Sequence, residues 1–191
     1  MSVLALLPEV DLGLHHEQKQ DAGGGLASAV FDSPARTYRY LLTRIWDPTV
    51  KPVVFLMLNP STADAFADDA TIRRIAGPKG FARRWKRGGV IVVNLFALRS
   101  KNPERLRRHH DPVGPYNAQF VRQAVQESDL VVAAWGGGGV LANRGLEMAC
   151  SLRKAGVELK ALRVTSTGQP WHPLYVPATT ELIDYQPEAL A

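Results

Sequence analysis
An α/β fold, three layers built around a mainly parallel central sheet, is what this sequence predicts, and three observations predict it. Three runs, 53–58, 90–96 and 129–135, are apolar over strand length with little polar alternation, the pattern of strands buried on both faces, and 158–164 reads as a fourth strand. Stretches with helical spacing separate them, as parallel strands joined by crossover helices require. Each run ends in small polar residues or glycine: Asn59-Pro60-Ser61, Asn94, Gly136–Gly139 and Thr165–Gly168.

Residues 1–28 hold Gly23-Gly24-Gly25 and scattered charges without periodicity. They are expected to form a loosely ordered N-terminal segment, with 29–191 as one α/β domain. His15-His16 has no Cys or further His beside it and reads as surface rather than metal site. Thr37 to Trp46, rich in aromatic and β-branched residues, reads as a strand closed by Asp47-Pro48 and placed at a sheet edge beside 53–58. The 53–58 strand ends at Asn59-Pro60, because the residue before a proline is pushed out of the helical region. Thr71 to Ala76 starts a helix that Gly77-Pro78 interrupts, and Phe81 to Arg87 continues helically until Gly88-Gly89.

Val90 to Phe96 is a second buried strand broken only by Asn94, whose amide must either bond backbone or face a pocket. The polar connection 97–115 has the length of a functional loop. A helix with Phe120, Val121, Ala124 and Val125 on one face follows it. Asp129 to Trp135 runs into four glycines and then a helix from Val140 to Ala155. Strand, glycine loop and helix can cradle a phosphate, but neither the phosphate-loop lysine pattern nor a dinucleotide fingerprint is present. Tight backbone packing explains the glycines equally well, and no cofactor is expected. Glu158 to Val164 is the fourth strand, and Thr179 to Tyr185 reads as a short last helix.

The 191 residues, 46% hydrophobic and 21% charged, fit one domain with a sizeable core and exclude wholesale disorder. No apolar run approaches the ~18 residues of a membrane span, and Met1 to Val10 lacks the features of a signal peptide. The single Cys150 suits a reducing compartment. A cytoplasmic protein without a membrane partner is the expectation. Charge is concentrated: between Arg73 and His110 stand twelve Lys or Arg and one acid, Glu104, whereas the rest holds eleven basic and seventeen acidic residues. That asymmetry points to a polyanionic partner, DNA or a nucleotide.

In open α/β sheets ligands bind outside the carboxyl ends of the strands. Asn59, Asn94, the loop after Trp135, and His172 all fall at such ends and are expected to converge on one pocket. Phe66, Trp135 and Tyr175 lie beside them and can stack on a planar ring.

From about Val30 to Tyr185 the chain resembles an uncharacterised bacterial and phage domain family. Its marks are Tyr38-Arg39-Tyr40, Leu58-Asn59-Pro60-Ser61-Thr62-Ala63-Asp64, Asn94-Leu95-Phe96-Ala97, Asp111-Pro112-Val113-Gly114, Ala134-Trp135-Gly136 and His172-Pro173-Leu174-Tyr175. That resemblance carries no activity. The order of motifs also resembles the uracil-DNA glycosylase superfamily. There an Asn-Pro or Asp-Pro strand end places the attacking water, an asparagine ending a later strand reads the base, and a final His-Pro motif donates to the leaving base. Asn59-Pro60, Val92-Val93-Asn94, Ala134-Trp135-Gly136 and His172-Pro173-Leu174 stand in those places. Ser61 departs from the glycine after the proline, and a Ser-Pro insertion after His172-Pro173 is absent.

The resemblance implies a glycosylase that hydrolyses the N-glycosidic bond of an altered or modified base in DNA or of a nucleotide. Asn59, His172 and Asp64 would be catalytic, with Asp68 and Asp69 as alternatives to Asp64. Asn94, Phe66, Trp135 and Tyr175 would hold the base. Arg73, Arg74, Arg83, Arg84, Arg107 and Arg108 would grip the phosphate backbone. Two alternatives stand beside this reading. One is a binding module for nucleic acid or nucleotide that lacks chemistry. The other is a metal-dependent phosphoesterase using Asp64, Asp68, Asp69, His109, His110 and Asp111.

Overall fold
A run such as Val53 to Met57 offers solvent nothing polar, so it needs a strand on each side and a packed layer on each face. The computed structural model, which describes residues 13–187, supplies both. The strands are β1 (His15–Gln20), β2 (Leu26–Phe31), β3 (Arg39–Ile45), β4 (Val53–Met57), β5 (Gly89–Asn94), β6 (Val131–Ala133), β7 (Leu159–Ala161) and β8 (Ile183–Asp184). The helices are α1 (Ala70–Ala76), α2 (Phe81–Arg84), α3 (Glu104–Arg108), α4 (Asn117–Gln126) and α5 (Arg144–Lys154). All strands join one sheet in the order β1-β2-β3-β5-β4-β6-β7-β8.

The sheet is mixed, and the expectation of a mainly parallel one is corrected. β5-β4-β6-β7 is parallel, while β1-β2-β3 and β3-β5 on one side and β7-β8 on the other pair antiparallel. The connections 21–25 and 32–38 are too short to cross over, and hairpin connections can only make antiparallel pairs. Two further expectations change with it. β3 pairs with β2 and β5 rather than beside β4. The segment expected to be a last helix instead contributes β8, whose Ile183 pairs with Ala161.

Residues 15–20 and 26–31, assigned from sequence largely to a loose segment, form two ordered strands in register from His15–Phe31 to Gln20–Leu26. The remainder of that segment, residues 1–12, lies outside the described residues. β1 is mostly polar and partly exposed, so it carries no apolar period, and its place is set by backbone pairing with β2 and by the ion pair of Glu17 with Arg36.

Side chains of β4 alternate between two cores. Val54 and Leu56 join α4 residues Phe120, Val121 and Ala124 and α5 residues Met148, Ala149 and Leu152. Val53, Phe55 and Met57 join Ile72 and Ile75 of α1 and Phe81 and Ala82 of α2. Helices therefore cover both faces of the sheet. Each fully buried apolar side chain contributes roughly 1.5–3 kcal/mol. Among the described residues no helix is long and apolar enough to cross a membrane.

The glycines after β6 serve packing. A Cβ on Gly139 would stand 2.2 Å from Trp135 Cδ1 and one on Gly145 2.8 Å from Trp135 Nε1. The helix expected from Val140 accordingly begins only at Arg144, after a kink with Ala142 and Asn143 at positive φ. Gly139→Ala is expected to cost about 1–3 kcal/mol by displacing a buried indole, read as a lower denaturant midpoint with near-ultraviolet circular dichroism changed at the tryptophan bands.

Candidate functional site
β4 is flanked by β5 on one side and β6 on the other, all parallel. The chain leaves β4 toward one side of the sheet and returns across it to β6, so the order switches beside β4, where α/β sheets open a crevice at their carboxyl ends. A cleft of about 380 Å³ lies there, and Asn59, Asn94, Trp135, His172 and Tyr175 all line it. The expected convergence of the strand ends is thus found in one place.

Asn94 ends β5 and is 1% exposed. Neither its Oδ1 nor its Nδ2 has a hydrogen-bond partner among the described residues. Its main chain is anchored instead: Asn117 Nδ2 donates to Asn94 O at 2.9 Å and to Leu95 O at 3.1 Å. Of the two sequence alternatives for Asn94, the amide faces a pocket. Leaving a buried donor or acceptor unpaired costs about 1–3 kcal/mol.

Asn59 follows β4. Its Nδ2 donates to Ser100 O at 2.8 Å and Pro60 O at 3.0 Å. Those two carbonyls orient the amide, and its Oδ1 accepts nothing from the described residues.

His172 caps a short 3-10 turn, Pro173–Tyr175, by accepting Leu174 N–H on Nδ1 at 3.3 Å. An acceptor Nδ1 puts the proton of a neutral ring on Nε2. Burial pushes the His172 pKa down, and Asp69 opposes that in part. The turn is held from α1, where Arg74 donates through Nε to Pro173 O at 3.3 Å and through Nη2 to Val176 O. Arg74→Ala is expected to cost about 1.5–3 kcal/mol, the range of hydrogen bonds to charged groups. Hydrogen exchange at the Leu174 amide should quicken, and Arg74→Lys should not restore it, because an ammonium lacks the fork that spans two carbonyls.

Of two further cleft residues, Arg39 was not singled out from sequence, and Asp69 was named only as an alternative to Asp64. Arg39, at the start of β3, is 3% exposed and lines the cleft. Its Nη1 donates to Ala63 O at 2.7 Å, and its Nε has no partner. Among the described residues no carboxylate lies within ion-pair distance, and burial pulls its pKa down to about 9 although Asp69 opposes the shift. Asp69 also lines the cleft, with Oδ1 capping α1 through Ile72 N–H at 2.9 Å. An arginine inside a strand of otherwise core residues was the available signal for Arg39.

Of the other expected site residues, Asp64, Asp68 and Phe66 stand outside the cleft, and Trp135 and Tyr175 line it. Asp64 Oδ1 accepts Phe66 N–H at 2.8 Å and Ala67 N–H at 2.9 Å, and Oδ2 is 3.5 Å from Arg36, so Asp64 shapes the loop and does not line the cleft. Asp68 pairs with Arg44 at 2.7 Å. Phe66 is 59% exposed and borders a different depression, with Arg73 and Arg83. Trp135 is 2% exposed and donates Nε1–H to Gln169 Oε1 at 2.9 Å, which makes it a wall rather than an open stacking face. Tyr175 stands 72% exposed at the rim, its ring 5.6 Å from that of His172.

The six arginines expected on one phosphate-gripping surface are divided. Arg73 and Arg74 belong to α1, and Arg83 and Arg84 to α2, on one face of the sheet. Arg107 and Arg108 belong to α3, whose Leu106 packs in the core of the other face. Arg74 is engaged with carbonyls, Arg83 stacks 3.9 Å over Trp46, and Arg107 meets Glu104 at 3.4 Å. Among the described residues no three His, Cys, Asp or Glu side chains gather as a metal site. His109 and His110 stack on each other, apart from the three aspartates of the 64–69 loop.

No curated protein and no solved structure matches the chain. The model of a family described as proteins of unknown function, DUF1643, matches residues 39–174. That span runs from Arg39 to Leu174 and takes in Asn59, Asp69, Asn94, Trp135 and His172. The chain belongs to the DUF1643 family of proteins of unknown function.

Proposed function
We propose that the cleft hydrolyses the N-glycosidic bond of an altered or modified base in DNA, or of a nucleotide, on a fold of the uracil-DNA glycosylase type. The observation that carries this reading is the Asn94 amide, buried with both ends unpaired in the same cleft as Asn59 and His172. An amide places a donor beside an acceptor, which matches the edge of a nucleobase by two hydrogen bonds. The cleft, about 380 Å³, has the size of a small-ligand site.

Cleavage moves the glycosidic electron pair onto the leaving base and leaves positive charge on the sugar. His172, with its proton on Nε2, donates a hydrogen bond to the departing base, as an oxyanion-hole donor does. Asn59 Oδ1 accepts a hydrogen bond from the attacking water and aims it at the sugar carbon. Asp69, the carboxylate of the cleft, stabilises the sugar cation and takes the water's proton, which passes to the released base. Asp69 replaces Asp64 in this role. Tyr175 at the rim stacks against the base as it enters.

Oligonucleotides carrying uracil and other altered bases test the reading through the formation of abasic sites. Cleavage of at least one member, lost in Asn59→Ala and His172→Ala, is the expected result. Absence of cleavage across a broad panel overturns it. A binding module without chemistry is the second reading, favoured by one observation: the cleft's carboxylate, Asp69, is already engaged as a helix cap. On that reading oligonucleotides bind and are never cut.

A further inference from the structure
Beside the cleft lies a second depression, of about 370 Å³, lined by Arg36, Thr37, Ser61, Arg99, Lys101 and Arg105 among others. It shares Ser61, Ser100 and Lys101 with the cleft, so the two are continuous. Among the described residues no acidic side chain lines it, and only Arg36 of its four cations is ion-paired, to Glu17 and Asp64.

Arg99 is half-buried, and its Nε has no hydrogen-bond partner. Its Nη1 reaches only Arg36 O, at 3.4 Å, and its guanidinium lies 5.2 Å from the Phe31 ring centroid. Burial and the neighbouring Arg36 push its pKa below the ordinary value, and Asp64, Glu17 and Asp32 offset that shift only in part. Lys101 and Arg105 are exposed and have no ion-pair partner among the described residues, and the Ser61 hydroxyl has no hydrogen bond there. Three cations without a direct ion pair among the described residues, an orphaned guanidinium N–H and a free hydroxyl around one hollow match an anion with several acceptor oxygens.

We propose that this depression is a phosphate subsite, holding the phosphate of the nucleotide whose base enters the cleft. Arg99 supplies the directed donors, Lys101 and Arg105 supply charge at the mouth, and Ser61 stands on the shared rim where the sugar crosses. The cations that grip phosphate are then Arg99, Lys101 and Arg105, rather than the arginines of α1 and α2. The base assignment rests on the reading of the cleft given above, whereas the phosphate assignment stands on the depression itself. The phosphate has two possible sources, a free mononucleotide or an internal phosphodiester of DNA.

Equilibrium binding separates these. Deoxyuridine, its 5′- and 3′-monophosphates, inorganic phosphate and a single-stranded oligonucleotide are titrated against the full chain and against Lys101→Gln/Arg105→Gln and Arg99→Gln. The two exposed positions keep the first variant folded whatever Arg99 does for stability. Phosphorylated ligands are expected to bind the wild type at least tenfold more tightly than deoxyuridine. The double variant should lose that advantage, and the slope of log affinity against log salt should fall by about 1–2. Variant-sensitive binding of a monophosphate assigns the site to free nucleotides, and variant-sensitive binding of the oligonucleotide alone assigns it to DNA. Equal binding of phosphorylated ligands by wild type and both variants overturns the subsite, even where abasic sites form. Loss of phosphate binding in the variants without any base cleavage keeps the subsite and removes the glycosylase reading.

Discussion
Replacing Asn94 with leucine is expected to make the unliganded protein more stable and to remove its recognition of a base. Two buried polar atoms without partners each cost about 1–3 kcal/mol, and leucine is close in size and has neither. A gain of about 1–3 kcal/mol in unfolding free energy is the expected net, after some loss to imperfect fit. Affinity for the ligand should fall on the order of tenfold or more, since two hydrogen bonds of about 0.5–1.5 kcal/mol each disappear. Denaturant unfolding and binding titration on the same preparation check both signs. A destabilised Asn94→Leu with unchanged binding would show that the amide supports the end of β5 and reads nothing.

His172 carries the second large effect. His172→Ala should lower the rate of base release by about 10²–10³, the usual loss for one donor aimed at a developing anion. Its pH dependence has a determined sign. Burial holds the folded-state pKa below the ordinary 6.5, so the ring stays neutral as pH falls from 7 through that value. The rate is expected to be flat across pH 6.5 and to drop only at lower pH. Stability follows the same linkage. Between the folded-state pKa and 6.5 the unfolded chain binds a proton that the native ring does not, so stability declines as pH falls through that window and is unaffected by His172 above it. His16, also shifted down by burial, adds a term of the same sign. His172→Gln should therefore reduce the acid-side loss without abolishing it. A rate that falls with the titration of an exposed histidine would overturn the neutral-donor role.

The central parallel strands β4, β5 and β6 were readable from their residues, because they come from apolar runs of the kind buried on both faces, and β7 was readable as a strand despite Lys160 at its centre. The hairpin strands were not. His15 to Gln20 is polar throughout, and what holds it is its ladder with β2, a partner that no local pattern announces. The same holds for the last segment, where Ile183 and Asp184 form a two-residue edge strand in place of the expected helix.

The sequence by itself determined the central parallel strands and the polar groups at their ends: Asn59 and Asn94 close apolar runs, and strand polarity sends them to one edge, where the loop after β7 also brings His172. Only the tertiary structure decided which charges act there. Three aspartates stand within six residues of loop, and the backbone path from Asp64 to Asp69 turns Asp64 onto its own loop while Asp69 borders the cleft. Arg39 enters the cleft from β3, across the sheet from β4, through pairing between segments some fifty residues apart. Charge concentrated along the chain was also not charge concentrated in space, since the α1–α2 and α3 arginines pack on opposite faces. Local sequence sets burial and strand ends through side-chain hydrophobicity. The neighbours of a charge, and hence its role, are set by long-range packing that brings distant segments together.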